Sequence, residues 1–379
     1  MYKITKTSIL LILLEIYIMK NIFFNFSTLN TDYTFSTLSK MLTFIIVIAI
    51  FFIFISDFKD TLKVFMSAYI FFIIILISSY LSGDISIMIY FLFALSLMNV
   101  QNELIVKRIL LTQLFAVGII VFLYILKIIP ESVSTRYGIT RYSLGFNHPG
   151  HISTFFLYIV MEYVYLSKRN IKTIVWVFIW IVMFFLNKFT DGRTAFFCFL
   201  IYVFLLILTK FQVTKKVIYV SNIVLPFFYI IISLYIAAKM KMDNLYYFLD
   251  NIFSGRLYFM KLFYDNYGIS LFGKHLITVT TYQSHLSSGT TAQVLDSFYL
   301  SLLIKYGLLF LIIFLWIVTK ANKTFFKYNQ VELLLMLFIT LLFSFIANIA
   351  TLVEVNCVFL LFFKKNKYLF DKGKFKIGL

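Results

Sequence analysis

Residues 41–100 read MLTFIIVIAIFFIFISDFKDTLKVFMSAYIFFIIILISSYLSGDISIMIYFLFALSLMNV. Three apolar runs, 41–57, 62–82 and 85–100, follow one another with only short charged breaks around Lys59 and Asp84. A helix that crosses a bilayer needs roughly 20 apolar residues, and each run is close to that length. A soluble domain could not hide so much apolar surface, because a large part of any folded surface stays exposed. Lipid is the solvent this pattern suits.

The same pattern runs outward in both directions. Of the 379 residues, 62% are hydrophobic and 13% charged, and the mean hydropathy is +0.95. Twelve spans are expected, near 8–24, 41–57, 62–82, 85–100, 108–129, 151–167, 173–188, 193–211, 217–238, 296–318, 331–349 and 353–364. The predicted fold class is all-α, a polytopic membrane protein with residues 1–379 forming a single membrane domain. The amino terminus, MYKITKTSILLILLEIYIM, resembles a signal peptide. Glu15 interrupts its apolar run and no small-residue cleavage site follows, so it reads as a retained first span.

Charge sets the orientation. Inner loops and the tail hold 21 of the 34 Lys and Arg, twelve fall on the outer side, and Lys305 lies within a span. Five of the outer twelve sit in one long loop, where the positive-inside rule has little force. Both termini are therefore expected in the cytoplasm. The net charge of +18 suits loops that face anionic lipid; no basic-aromatic motif for nucleic acid is present. Cys198 and Cys357 lie far apart in apolar runs, which makes neither a disulfide framework nor a metal site.

Two outer segments are expected to carry function: 130–150, PESVSTRYGITRYSLGFNHPG, and 239–295, the one long polar stretch. The second keeps apolar residues at helical spacing in LYYFLDNIF and RLYFMKLFYDNYG, which predicts short amphipathic helices on the membrane face.

Four places combine polar groups with a helix end. In RYSLGFNHPGH, Pro149 suits a first helical turn and Asn147 or His148 can cap it. Free N–H groups, Arg141, His148 and His151 would then make an anion site, or simply a helix start with interfacial histidines. In DGRTAFF, Arg193 enters a helix whose dipole repels it, so an anion is expected beside it, either Asp191 or a phosphate. In SGRLYF, Arg256 follows a turn and is either bound or solvated. In LDSFYLSLLIKYGLL, Asp296 is a plain N-cap or a general base near arginines, with Tyr299 beyond it. Lys305 is expected to be buried against a partner. Glu15, Glu162 and Glu354 lie in or beside spans, as protonated structural groups or as a proton path; the sequence leaves both open. No P-loop, HExxH or GxSxG elbow occurs.

These segments, in this order, resemble the bacterial O-antigen and capsular polysaccharide polymerase family (Wzy-type), which is related to the O-antigen ligases. The likeness rests on GFNHP, on GRT around Arg193, on a large loop in the second half, and on Asp296, Ser297, Tyr299, Leu300 and Gly307 after it. Gly150 stands where that family often has Asn. The resemblance implies a GT-C-like fold in the bacterial cytoplasmic membrane and a metal-independent inverting glycosyltransferase with no cofactor. Its donor would be an undecaprenyl-pyrophosphate-linked glycan. Catalytic roles would fall to Asp296 as base and to Arg193 and Arg256 on the pyrophosphate. Arg141, His148, His151 and Tyr299 would contact substrate. Expected partners are lipid-linked repeat units, membrane lipids, a flippase and a chain-length regulator. A ligase and a lipid-linked oligosaccharide flippase or other transporter are the alternatives.

Overall fold

The computed structural model describes residues 5–29, 33–56, 58–136, 138–279, 292–348 and 352–362. It is mostly helical. In chain order come α1 (Lys6–Asn21), α2 (Tyr33–Ser56), α3 (Phe58–Ser82), α4 (Ser86–Ser96) and α5 (Asn102–Ile125). A hairpin of β1 (Val133–Arg136) and β2 (Ile139–Tyr142) separates these from α6 (Pro149–Leu166), α7 (Thr173–Thr190), α8 (Arg193–Leu208) and α9 (Gln212–Ala238). The short α10 (Asn244–Ile252), α11 (Arg256–Tyr267) and α12 (Phe298–Ser301) precede α13 (Leu308–Lys327) and α14 (Val331–Phe343). The hairpin apart, the all-α expectation describes what is seen.

Five of these segments are long and apolar enough to cross a membrane: Lys6–Phe26, α5, α7, α9 and α13. Their outer faces are what a lipid solvent would select. On α7 the buried residues Ile179, Met183, Leu186 and Thr190 form one narrow stripe, while Ile174, 74% exposed, and Phe178, 62% exposed, point away from the protein. On α9, Val213, Val217, Val220, Val224 and Ile231 form a similar outward apolar row. Water would not tolerate apolar faces this extensive. By contrast α4, α6 and α14 are buried along nearly their whole length and make the centre of the bundle. Polar side chains bind the layers together: Asn222 of α9 donates to Asn322 Oδ1 of α13 at 3.0 Å and to the Leu334 carbonyl of α14 at 3.1 Å.

Loop contacts fall into two groups. At one end Lys168 pairs with Glu103 at 3.0 Å and Arg169 with Glu332 at 2.5 Å, and Lys215 donates to Asn329 at 3.2 Å. At the other, the hairpin end, Thr28 meets Pro130 and Gly145, and Asn147 meets Asn25 and Phe26. The long loop adds its own small core there. Tyr246, Leu257, Met260 and Phe263 pack with Ile236, Ala237, Leu295, Leu300 and Ile304. Residues 280–291 of that loop, and the tail from 363, lie outside the described residues.

Three expected helices differ from the structure. The run at 296–318 is not continuous: α12 passes into a π-helical turn, Leu302–Tyr306, and breaks at Gly307. Gly307 has φ 90, and an added Cβ would stand 2.4 Å from the Gly273 nitrogen and 2.5 Å from the Leu271 carbonyl. The long loop thus lies directly on the break. Lys305, as expected, is held by a partner, 2.5 Å from Asp84 Oδ2, which also accepts from the Tyr306 hydroxyl at 2.8 Å. The run at 331–349 ends as helix at Phe343, and among the described residues of 353–364 only Val358–Leu361 forms a 3₁₀ turn. Here side chains replace the helical ladder. Gln113 donates to the Glu354 and Val355 carbonyls at 3.1 and 3.4 Å, Tyr90 to the Asn356 carbonyl at 2.6 Å, and Asn356 Oδ1 accepts from Val358 N at 3.0 Å. Residues 353–361 are all buried, a setting in which non-helical backbone survives at membrane depth.

Candidate functional site

The hairpin register pairs Ser134 with Arg141 and Arg136 with Ile139. Cross-strand partners share a face and residues two apart along a strand do too, so Arg136 and Arg141 project from the same side. Both reach the α7–α8 corner. That corner packs tightly on α6: a Cβ on Gly192 would stand 2.6 Å from Ser153 Oγ, and Ser153 is hydrogen-bonded to Thr190 at 2.8 Å.

Asp191, in the left-handed region at φ 50, holds two arginines. Arg193 donates through Nε to Oδ1 at 2.7 Å and through Nη2 to Oδ2 at 3.1 Å. Arg136 donates through Nε to Oδ2 at 3.1 Å and through Nη2 to the Asp191 carbonyl at 3.1 Å. Burial would raise the Asp191 carboxyl, but the hydrogen bonds from Arg193 and Arg136 outweigh it and hold it below the usual range. The chain of contacts continues as Arg136 Nη1 reaches Ser254 Oγ at 3.4 Å. Two residues on, Arg256 donates to Asp296 Oδ2 at 3.0 Å. Arg193, Arg256 and Asp296, far apart in sequence, therefore belong to one connected cluster.

Arg141 differs from its neighbours. It is 8% exposed and donates through Nε to the Thr190 carbonyl at 3.0 Å. Among the described residues it has no carboxylate within ion-pair distance. Burial, and next the charge of Arg136, lower its pKa to about 10, so it remains a cation at neutral pH. The cluster holds four guanidinium groups against two carboxylates, and its most buried cation is one without an acidic partner. A site so built attracts a multivalent anion, and guanidinium forks match phosphate oxygens in pairs.

The remaining expected residues are placed as follows. His148 caps α6, its Nδ1 accepting from Gly150 N at 3.0 Å. Burial, His151 and the arginines hold it well below its ordinary pKa. It is therefore neutral, with the proton on Nε2, and can donate a hydrogen bond there without adding charge. His151 packs edge-on to Phe26, ring centres 4.8 Å apart, and 5.2 Å from the His148 ring. Tyr299 is fully buried, its hydroxyl donating to the Leu341 carbonyl at 2.9 Å and its ring 5.6 Å from Tyr229. No face of it is open to a sugar, which corrects the substrate-contact role. Asp296 is not the helix cap. Ser297 caps α12, accepting from Leu300 N, and Asp250 caps α11, accepting from Leu257 N and Tyr258 N at 2.9 and 3.0 Å. Arg136 was missed by sequence reasoning. Its signal was there in VSTRYGITRY, where a two-stranded reading puts both arginines on one face.

No family model, curated protein or solved structure matches this chain.

Proposed function

We propose that this protein is a polymerase that joins undecaprenyl-pyrophosphate-linked oligosaccharide repeat units into a capsular polysaccharide, exopolysaccharide or O-antigen. The reading combines the motif resemblance with one observation: the gathering of Arg136, Arg141, Arg193 and Arg256 around Asp191 and Asp296. It carries with it a twelve-span, GT-C-like threading in the bacterial cytoplasmic membrane, with the hairpin end outside and both termini inside. The lysines of the opposite end, among them Lys168, Lys172, Lys210, Lys215 and Lys216, support that orientation.

The chemistry proceeds without a covalent enzyme intermediate. A hydroxyl at the non-reducing end of the acceptor attacks the donor's anomeric carbon from the face opposite the pyrophosphate. The carbon–oxygen bond to phosphate breaks as the new glycosidic bond forms. The four guanidinium groups stabilise the charge that develops on the departing pyrophosphate, the type of interaction that gains most in a water-poor site. An entering anion draws Arg256 away from Asp296, and the freed carboxylate takes the hydroxyl proton. Asp191 keeps Arg136 and Arg193 aimed.

The test substitutes Arg193 or Asp296 by Ala and follows polymer length at equal protein level. Single repeat units in place of polymer are expected; unchanged long polymer would overturn these two catalytic roles. A second reading is a lipid-linked oligosaccharide flippase or related transporter. The buried, non-helical stretch at 353–357 beside Glu162 favours it, since transporters place such breaks near charged groups in mid-membrane. In a deletion strain, repeat units on the outer face support the polymerase, and units trapped on the inner face the flippase. A ligase would instead leave polymer formed but unattached.

A further inference from the structure

Glu162 lies on α6 at the centre of the bundle, fully buried, and neither carboxylate oxygen has a hydrogen-bond partner among the described residues. Its polar neighbours are Gln113 of α5 and the Cys357 thiol of the non-helical segment. Gln113 is itself fully buried, and its amide nitrogen is committed to the Glu354 and Val355 carbonyls. Its Oε1 also lacks a hydrogen-bond partner among the described residues. Two oxygens of Glu162 and one of Gln113 are thus buried on neighbouring residues without a hydrogen-bond partner among the described residues. Lys20, a cation buried in the same bundle, bonds Thr43 at 2.6 Å and faces Glu354 instead. The other titratable groups near Glu162 are the Cys357 thiol and the Tyr158 phenol.

An isolated carboxylate in such a place costs far more than the hydrogen bonds it forgoes. The smallest ligand that cures the deficit is a proton. We propose that Glu162 is a proton-binding site inside the bundle, holding one proton taken from water at neutral pH and donating it to Oε1 of Gln113. One acceptor oxygen becomes a donor, Gln113 is satisfied on both sides, and the Cys357 thiol donates to the remaining Glu162 oxygen. Because Gln113 also holds the Glu354 and Val355 carbonyls, the bound proton fastens the non-helical segment to α5 and α6. Proton loss would leave a bare charge against that segment and loosen it. The packing of 353–361 is thereby made proton-dependent, whether the protein is an enzyme or a transporter.

Infrared difference spectra of the full chain in lipid nanodiscs, wild type minus Glu162→Gln, test this at neutral pH. A protonated-carboxyl C=O band that shifts on deuteration is expected; carboxylate bands alone would overturn the proposal. Gln113→Leu should keep that band but move it upward in frequency as its hydrogen bond is lost. This comparison with wild type serves as well where Glu162→Gln does not fold, and an unmoved spectrum would count against the pairing. Thermal stability of the wild type should fall as pH rises, because unfolding releases the held proton, and Glu162→Gln should lack that component. Sodium stabilising the wild type over the variant, at fixed ionic strength against choline, would make the occupant a metal cation and overturn the proton assignment.

Discussion

At the hairpin end, four guanidinium groups share two carboxylates; at Glu162, two buried carboxylate oxygens have no hydrogen-bond partner among the described residues. The two regions are unbalanced in opposite directions, and each imbalance names its missing partner. An excess of cations gathered about one buried arginine asks for an anion, and buried acceptors without donors ask for a cation. Between them in character stands the Lys305–Asp84–Tyr306 group, which is balanced. There the acid, the amine and the phenol satisfy one another, and the outcome is a clasp at a helix break. An unmatched polar group is a better pointer to a ligand than a matched one, because burying it without a partner is costly.

The sharpest way to break this comparison is at Arg141. Arg141→Ala removes the cation that has no acidic partner and, under the proposed polymerase function, should cut polymer formation about 100-fold or more, on the order of 3 kcal/mol, with the protein still folded. Single-turnover assays with lipid-linked donor check it. If Arg141→Ala instead destabilised the fold with no loss of specific activity, the guanidinium would be structural and the anion argument would fail. Asp191→Asn should act in the same direction but less, since it unaims Arg136 and Arg193 without removing either.

Lys305→Met tests the balanced group. Asp84 would keep only the Tyr306 hydroxyl and the Ser86 N–H, and about 1–3 kcal/mol of stability should go, read as a lower melting temperature in detergent. The same group predicts a pH effect. Burial would raise Asp84, but the charge of Lys305 and hydrogen bonds from Lys305 and Ser86 bring it from 3.8 down to about 2. A depressed acid contributes stability that is present above its unfolded value and disappears as pH falls. The loss should appear between about pH 4 and pH 2, and be absent in Lys305→Met. The smallest effect is expected at Tyr299→Phe. It removes one hydrogen bond to the Leu341 carbonyl, for about 1 kcal/mol, and polymer length should not change. A strong effect on polymer would return Tyr299 to the site.

Several of these residues could be singled out from the sequence because their signals are local. Pro149 after Asn147 and His148 marks a helix start, and His148 proves to be its cap. An arginine entering α8 needs a nearby anion, and Asp191 supplies it. Arg136 escaped notice because its meaning depends on pairing with the strand across Gly138. Asp296 could not be separated from a cap until Ser297 was seen to fill that position. Tyr299 carried the right spacing but the wrong exposure, since side-chain burial at a helix break is set by what lies on it.

The sequence alone determined that this chain is a string of apolar helices suited to lipid, with its cations gathered in the loops. Those properties follow from residue-by-residue solvation and from the length of each run, so no distant contact is needed to read them. Tertiary structure decided which cations meet, which acids are left unpaired, and where the last segment leaves the helix. Hydrogen-bond partners at 353–361 come from α4 and α5, more than two hundred residues away, and long-range contacts of that kind leave no periodic trace in the chain.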